Sequence, residues 1–385
     1  MNDLKAYVYA LSIPFKLDFT HSQARRRASD SLVVEISDGN ISGFGEAVAR
    51  EYVTGTTTGA LEEIADTLGG ILKELPPAEG GDSGFSHTPS PLTKFMLSSK
   101  WPRSELPLLC AVEGALLDLM CRYNNVDLYT LLQRTPRREE IQYGGTLPIL
   151  PEPAAEKMLT AYKQAAISNL RVKLANETYY NRRVLEKARR ILGDDYDLRV
   201  DANAAWSVEE TLDQLEILRE YGVYLVEEPL GLDREEMRRL CAFPQSADFC
   251  FVADESAVTF QDIEQIQSDN TFGMINIRLS KHGGLLRALK IAELADTYGL
   301  KYQLGCHVGE TGILSGLGRA AASLMSAPVY ADGSYDRHLL AENIITEDYT
   351  FGFGGTASIR RHQGVGYTVD TSKLEKVTID YCTCS

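Results

Sequence analysis

Leu198-Arg199-Val200-Asp201-Ala202-Asn203-Ala204-Ala205-Trp206 is a short apolar run that ends in a carboxylate and then in small and polar residues. Such a run predicts a strand that delivers Asp201 to its carboxyl end. Two other stretches end the same way, Val223-Tyr224-Leu225-Val226-Glu227-Glu228-Pro229 and Phe249-Cys250-Phe251-Val252-Ala253-Asp254-Glu255-Ser256. From 201 to 227 is 26 positions and from 227 to 254 is 27, a step that fits one strand, one helix and two loops of a parallel α/β sheet. Three acids then stand side by side. Oxygen ligands from adjacent strand ends, with no cysteine or histidine among them, suit Mg²⁺ or another hard dication.

Outward from this stretch the same alternation continues. Strand ends are expected near Gly145, Lys173, Asp201, Glu227, Asp254, Lys281, Cys306 and Asp332, with amphipathic helices such as Val208 to Tyr221 and Leu285 to Tyr298 between them. Eight strands over about 200 residues predict a (β/α)₈-type TIM barrel, at the low end of its usual size. An open doubly wound sheet is the alternative. The regular spacing and the lack of a dinucleotide glycine fingerprint after the first strand favour the barrel.

Before Ile141 the pattern differs. Strands are expected over Ala6 to Leu11, Leu32 to Ile36 and Ile41 to Glu46 as an antiparallel meander, with loops at His21 to Arg27 and Arg50 to Thr57. Apolar positions at Leu61, Ile64, Leu68 and Ile71 predict a helix, the Pro/Gly/Ser-rich stretch from Pro76 to Pro91 a surface loop, and Cys110 to Met120 a buried helix. Residues 1–125 thus read as an α+β domain, 126–340 as the barrel, and 341–385 as a segment returning to the amino-terminal domain.

At 385 residues the chain exceeds what one core usually supports. Its net charge of −15 argues against nucleic-acid and anionic-membrane partners. With no signal-peptide pattern and no apolar run long enough to span a bilayer, a cytoplasmic protein is expected. The seven scattered cysteines read as reduced, and the Cys382-x-Cys384 tail as a frayed terminus.

In a parallel barrel all strand carboxyl ends open on one face. Lys173 and Lys281 fall on the second and sixth strands, opposite in a ring of eight, with Asp201, Glu227 and Asp254 on the arc between. An amine on each side and a metal at one end suit proton abstraction α to a carboxylate, since the metal can neutralise the charge of the enolate. Arg171, two residues before Lys173, and the metal supply positive charge that lowers the lysine pKa. A lone strand-end aspartate is ordinarily a helix cap. Three at a constant step, flanked by lysines, are not explained that way. Glu227 and Glu228 remain open at this point, because only one of two successive strand residues faces inward.

These residues resemble the enolase superfamily, specifically its muconate-lactonizing-enzyme group within the mandelate racemase relatives. The likeness extends to Gly43-Phe44-Gly45-Glu46-Ala47, Arg171-Val172-Lys173, Asp201-Ala202-Asn203, Glu227-Glu228-Pro229, Ala253-Asp254-Glu255-Ser256 and Lys281-His282-Gly283-Gly284. A lysine or histidine base working beside Mg²⁺ is an established feature of that superfamily. The resemblance implies a modified TIM barrel with an α+β capping domain, Mg²⁺ (or Mn²⁺) on Asp201, Glu227 and Asp254, and Lys173 and Lys281 as acid/base pair. It selects Glu227 over Glu228, and it implies that loops near 20–30 and 50–57 close on a small-molecule carboxylate. Arg25, Tyr52, Thr54, Arg171, Asn203, His307, Glu310 and Asp332 are then the expected substrate contacts, and a homo-oligomer the expected assembly.

Three departures from the family pattern stand out. Arg171 replaces the first lysine of a Lys-x-Lys, Glu310 is displaced by one within Gly305-Cys306-His307-Val308-Gly309-Glu310, and Asp332-Gly333-Ser334 lacks the second acid that dipeptide epimerases use for an ammonium group. The expected activity is an isomerase, whether cycloisomerase, racemase or epimerase. A lyase of the same superfamily, o-succinylbenzoate synthase-like or an acid-sugar dehydratase, is the alternative, and an inactive scaffold a remote one. A zinc hydrolase would need a His-x-His pair that is missing, and a Schiff-base aldolase would leave the three acids unused.

Overall fold

In Lys5–Leu11 the side chains of Ala6 and Val8 are fully buried and those beside them less so, the period of a strand with one packed face. The computed structural model describes residues 4–56, 61–75 and 90–384. This strand pairs antiparallel with Leu32–Ser37 on one side and with Thr378–Cys384 on the other, and Ser42–Ala47 completes a four-stranded sheet. The capping domain therefore joins the two ends of the chain. Cys382 and Cys384, expected in a frayed tail, lie in that outer strand, and all seven cysteines are free.

Two expected loops are ordered otherwise. His21 to Arg27 belongs to a hairpin of Ile13–His21 with Ala24–Ser29. Three arginines satisfy a strand as readily as a loop when alternate ones face solvent, so composition misled here. From Arg50 the chain makes one helical turn, Glu51–Thr54, closed by Gly55 at φ 74; Thr57 lies outside the described residues. So do residues 76–89 of the expected surface loop, while Ser90 and Pro91 open the helix Ser90–Met96.

Leu106–Asn124 is buried continuously from Leu106 to Cys121. The strand Ser42–Ala47 lies flat on it, because a Cβ on Gly45 would meet the carbonyl oxygen of Ala111 at 2.0 Å.

The barrel strands are, in order, Gly145–Leu147, Asn169–Lys173, Asp197–Asp201, Leu225–Glu227, Cys250–Ala253, Met274–Ile277 and Lys301–Leu304, a seven-stranded parallel sheet. The eighth place is taken by residues 329–332, which bond to the seventh strand through Val329 N–Tyr302 O, Leu304 N–Tyr330 O and Asp332 N–Leu304 O at 2.8–2.9 Å. They meet the first through Gly144 N–Ala331 O at 2.9 Å. The sixth strand stops at Ile277, four residues before the expected Lys281, which instead lies in the helical turn Leu279–His282.

Two buried carboxylates of the capping domain cap barrel helices. Glu46 accepts from the Thr311 and Leu314 amides at 2.9 and 3.1 Å, at the start of Gly312–Leu324. Glu113 accepts from the Leu285 and Leu286 amides at the start of Leu285–Tyr298. Each satisfies amides that a helix leaves unpaired. Gly284, at φ 115, is where a Cβ would meet Glu113 Oε2 at 2.2 Å. Among the described residues no helix is long and apolar enough to cross a membrane.

Candidate active site

Register decides which side chains meet. Neighbours in a parallel ladder share a face, and Lys173 pairs with Asp201, Asp201 with Glu227, and Arg171 with Arg199. All five are buried. Glu228 has φ 37, an uncommon backbone for a non-glycine residue. It accepts from the Asp254 and Ser256 amides at 2.6 and 3.2 Å. Glu227 thus belongs to the central cluster, and Glu228 braces the loop after strand five.

Each of the three central acids is held by cations. Lys173 Nζ lies 2.5 Å from Asp201 Oδ2 and donates to Asn203 Oδ1 at 2.8 Å. Arg171 donates to both Glu227 oxygens at 2.9 and 3.1 Å, and the Asn276 and Gln303 amides add bonds of 2.9 Å each. Arg278 donates to Asp254 and stands 3.5 Å from Glu227 Oε1. Below them Arg199 grips Asp332 at 2.5 and 3.0 Å.

Electrostatics follow from this packing. Burial and the neighbouring Glu227 push Asp201 up to about 6. Burial would also raise Glu227 and Asp254, but Arg171 beside the first and Arg278 with Lys281 beside the second hold both below the usual range. Burial drives His307 well down, reinforced by Arg278 and Arg50, so it is neutral. Glu310 is pushed up to about 8 by burial despite the His307 amide, which it accepts at 2.6 Å.

A cavity of about 270 Å³ opens beside the cluster. Of the sequence-expected residues, Lys173, Arg171, Asn203, Tyr52, His307 and Glu310 line it. Arg25, Thr54 and Asp332 do not. Arg25 points to solvent, 60% exposed, and pairs with Asp18 at 2.5 Å. Thr54 Oγ1 turns back to the Arg50 carbonyl at 3.3 Å. Asp332 is enclosed by Arg199 and Arg171.

Lys281 requires a correction as the expected partner of Lys173. It is 0% exposed, and its ammonium donates to the carbonyls of Asp254 and Asn276 at 2.8 and 2.6 Å and to Asp254 Oδ1 at 2.9 Å. The cation that lines the cavity on that side is Arg278. The physical cause is the short sixth strand. Asn276 and Arg278 continue one face of it, whereas the chain has coiled by residue 281. Sequence reasoning also missed His21, whose Nε2 stands 3.3 Å from the Tyr52 hydroxyl, along with Tyr335 and Asp336. Alternation along the hairpin and past strand six is the signal that would have found His21 and Arg278.

Asp201, Glu227 and Asp254 supply hard oxygens from adjacent strand ends, the donor chemistry of Mg²⁺. Among the described residues no three acids stand in ligating geometry, because Lys173, Arg171 and Arg278 hold them and Arg278 reaches two at once. The chemistry of this donor set suits a hard dication, and Lys173, Arg171 and Arg278 are the charges beside it.

Residues 154–373 match the family model described as "Enolase C-terminal domain-like". The chain is 27% identical over 313 residues to a hydrophobic dipeptide epimerase of Enterococcus faecalis, covering 80% of this chain and 83% of that one. It is 26% identical over 374 residues to an o-succinylbenzoate synthase of Geobacillus stearothermophilus, covering 96% and 94%. Its fold matches that of a dipeptide epimerase from Cytophaga hutchinsonii, solved with Mg and D-Ala-L-Val, at a TM-score of 0.82, 21% identity and 99% coverage of both chains.

Proposed function

We propose, on the premise that the chain belongs to the enolase C-terminal domain-like family, that it is a Mg²⁺-dependent isomerase that removes the proton α to a substrate carboxylate. The observation that carries this reading is one cavity lined from the second strand by Lys173 and from the end of the sixth by Arg278, above three clustered acids. Asp201, Glu227 and Asp254 would hold the metal, which when bound neutralises the substrate carboxylate and the enolate charge. Mn²⁺ is a substitute of the same hard-oxygen preference.

Lys173 is the base in this reading, with Asn203 Oδ1 orienting its Nζ. Arg278 cannot take the complementary role. A guanidinium stays protonated at any working pH, and Asp254 and Glu227 raise it further against the effect of burial. It is a fixed cation facing the developing negative charge. One lysine working on one face favours cycloisomerisation over racemisation or epimerisation, which need proton delivery to the other face. The same observation favours, as second reading, a syn lyase, the reaction class of the o-succinylbenzoate synthase relative. Tyr52, His21 and His307 would close over a small-molecule carboxylate, in a cytoplasmic homo-oligomer.

The test is α-proton exchange in D₂O with Mg²⁺ and pooled muconates, N-acyl amino acids, dipeptides and acid sugars, followed by NMR. Exchange that stops with chelator and in Asp201→Asn supports the reading. No exchange with any member of the pool overturns it, and inversion as fast as exchange overturns the single-lysine branch.

A further inference from the structure

At one seam the barrel is closed by the bond from Gly144 N to Ala331 O, with no strand ladder among the described residues. The first strand carries a full ladder to the second, but toward residues 329–332 its edge is satisfied by side chains. Tyr162 donates its hydroxyl to the Thr146 carbonyl at 2.8 Å and accepts the Thr146 amide at 3.2 Å. Tyr335 donates to the Gly144 carbonyl at 3.1 Å, and its hydroxyl lies 2.9 Å from Thr146 Oγ1. The outer layer is thin here as well, since the helix after the eighth position is the single turn Asp336–Leu339. The cavity that meets Lys173 and Arg278 is also lined by Met158, Ala161, Ala165, Ile167 and Phe351 around this seam. Phe351 packs edge-on to Tyr335 with ring centres 5.7 Å apart. Small side chains at 161 and 165 leave the space open.

Beside the His307 ring nitrogens and the Arg171 and Arg278 Nε atoms at the reacting end of the cavity, one carboxylate oxygen at the seam is unmatched. Asp336 is 3% exposed and lines the cavity. Its Oδ1 accepts from the Ser315 hydroxyl at 2.5 Å, and its Oδ2 has no partner among the described residues. Buried polar atoms are ordinarily paired, so this one calls for a donor from a ligand.

We propose that the seam is a substrate subsite. It takes an extended apolar arm of the carboxylate, and Asp336 accepts a hydrogen bond from a hydroxyl or N–H on that arm. This rests on the isomerase reading and narrows it to acids with a long hydrophobic substituent, against small or polyhydroxylated ones. A wall of aliphatic and aromatic carbon cannot replace the hydration that a sugar acid loses on entry.

The test uses the full-length protein with Mg²⁺ and N-acetyl-, N-butanoyl- and N-hexanoyl-alanine, with binding measured by calorimetry and α-proton exchange by NMR. Affinity should rise roughly fourfold per added methylene until the cavity is full. Ala161→Phe or, should that variant not fold, Met158→Trp should flatten the series. A 6-hydroxyhexanoyl arm should bind tighter than hexanoyl in the parent protein and lose that advantage in Asp336→Ala. Affinity independent of chain length overturns the subsite even if exchange proceeds, and leaves the isomerase reading intact. Length-dependent binding without exchange of any member supports the subsite and overturns the isomerase reading.

Discussion

Lys173 and Lys281 are both buried lysines paired with an acid of the same cluster, and their surroundings separate them. Lys173 is the last residue of a strand, and its partners are two side chains, Asp201 and Asn203. Side chains can turn away when a substrate or a metal arrives. Lys281 lies in a helical turn and donates to two main-chain carbonyls, which cannot. Its side of the mouth is also pinned from outside, because Glu113 of the capping domain holds the amides of Leu285 and Leu286 just beyond it. On the proposed reading one lysine exchanges protons and the other holds Asp254 in position.

The largest effect expected from that contrast is at Lys173. Lys173→Met should lower α-proton exchange by about 10²–10⁴-fold, the usual contribution of a general base. NMR-detected deuterium uptake reads this directly. Exchange at the parent rate would erase the distinction between the two lysines.

Lys281→Met is expected to act on folding. It removes the ammonium from the carbonyls of Asp254 and Asn276 and from Asp254 Oδ1, leaving the Ala257 amide on the first carbonyl and Arg278 as the remaining cation on Asp254, a loss of about 3 kcal/mol for buried groups of this kind. Urea unfolding measures it. A variant as stable as the parent protein but dead in exchange would return Lys281 to the reacting centre.

Arg278→Lys tests the facing side by adding what it lacks. A lysine there can lose a proton, so exchange should appear in the opposite enantiomer of a chiral substrate. The native reaction should fall about tenfold, a loss of some 1.4 kcal/mol in enolate stabilisation. Chiral chromatography after incubation in D₂O distinguishes the two. Inversion already present in the parent protein would show that Arg278 is not the limit.

Glu113, which pins the Lys281 side, gives the comparison a pH dependence. Burial pushes it up to about 8, against the partial relief of the Leu286 and Leu285 amides and Arg287. Its folded form therefore binds more protons than its unfolded form between the ordinary carboxylate range and pH 8. Its contribution to stability is complete below that range and is lost as pH rises through about 8. Urea midpoints for the parent should fall from about pH 5.5 to about 8.5, and those for Glu113→Gln should fall less. Glu46, pushed up to about 7 by burial, adds a slope of the same sign that both proteins share. Identical slopes in the two would mean Glu113 is charged throughout.

Much of this was legible in the sequence because parallel strands repeat. The 26- and 27-residue steps from Asp201 to Glu227 to Asp254 locate three strand ends, and register then brings Lys173 and Arg171 to the same cluster. What stayed hidden was where each strand stops. Ile277 and Lys281 are separated by a change from extended to helical backbone that no apolar pattern marks, and Arg278 takes the facing position as a result. The seam was hidden for a related reason. A strand end near Asp332 was legible, but nothing in the pattern marks its reduction to a bridge at Leu304 and Ala331 with tyrosine hydroxyls on the edge of the first strand.

The smallest effect is expected at Arg25, and it tests the same rule of alternation. In Ala24–Ser29 the side chains of Arg25 and Arg27 face solvent and share Asp18, whereas Arg26 turns inward to Asp30, which also binds Arg50. Asp30 thus ties the hairpin to the helical turn that carries Tyr52. An exposed ion pair such as Arg25–Asp18 is worth little, since water screens it and ordering two long side chains costs entropy. Arg25→Ala should leave kcat and KM within about twofold of the parent and change stability by no more than about 0.5 kcal/mol. Arg26→Ala should raise KM more than it lowers kcat, because it loosens Asp30 and with it the approach of His21 and Tyr52 to the cavity. Steady-state kinetics on an identified substrate compares the two. A KM that rises for Arg25→Ala and not for Arg26→Ala would mean that the hairpin turns over when substrate binds, and the inward and outward faces assigned to it would have to be exchanged.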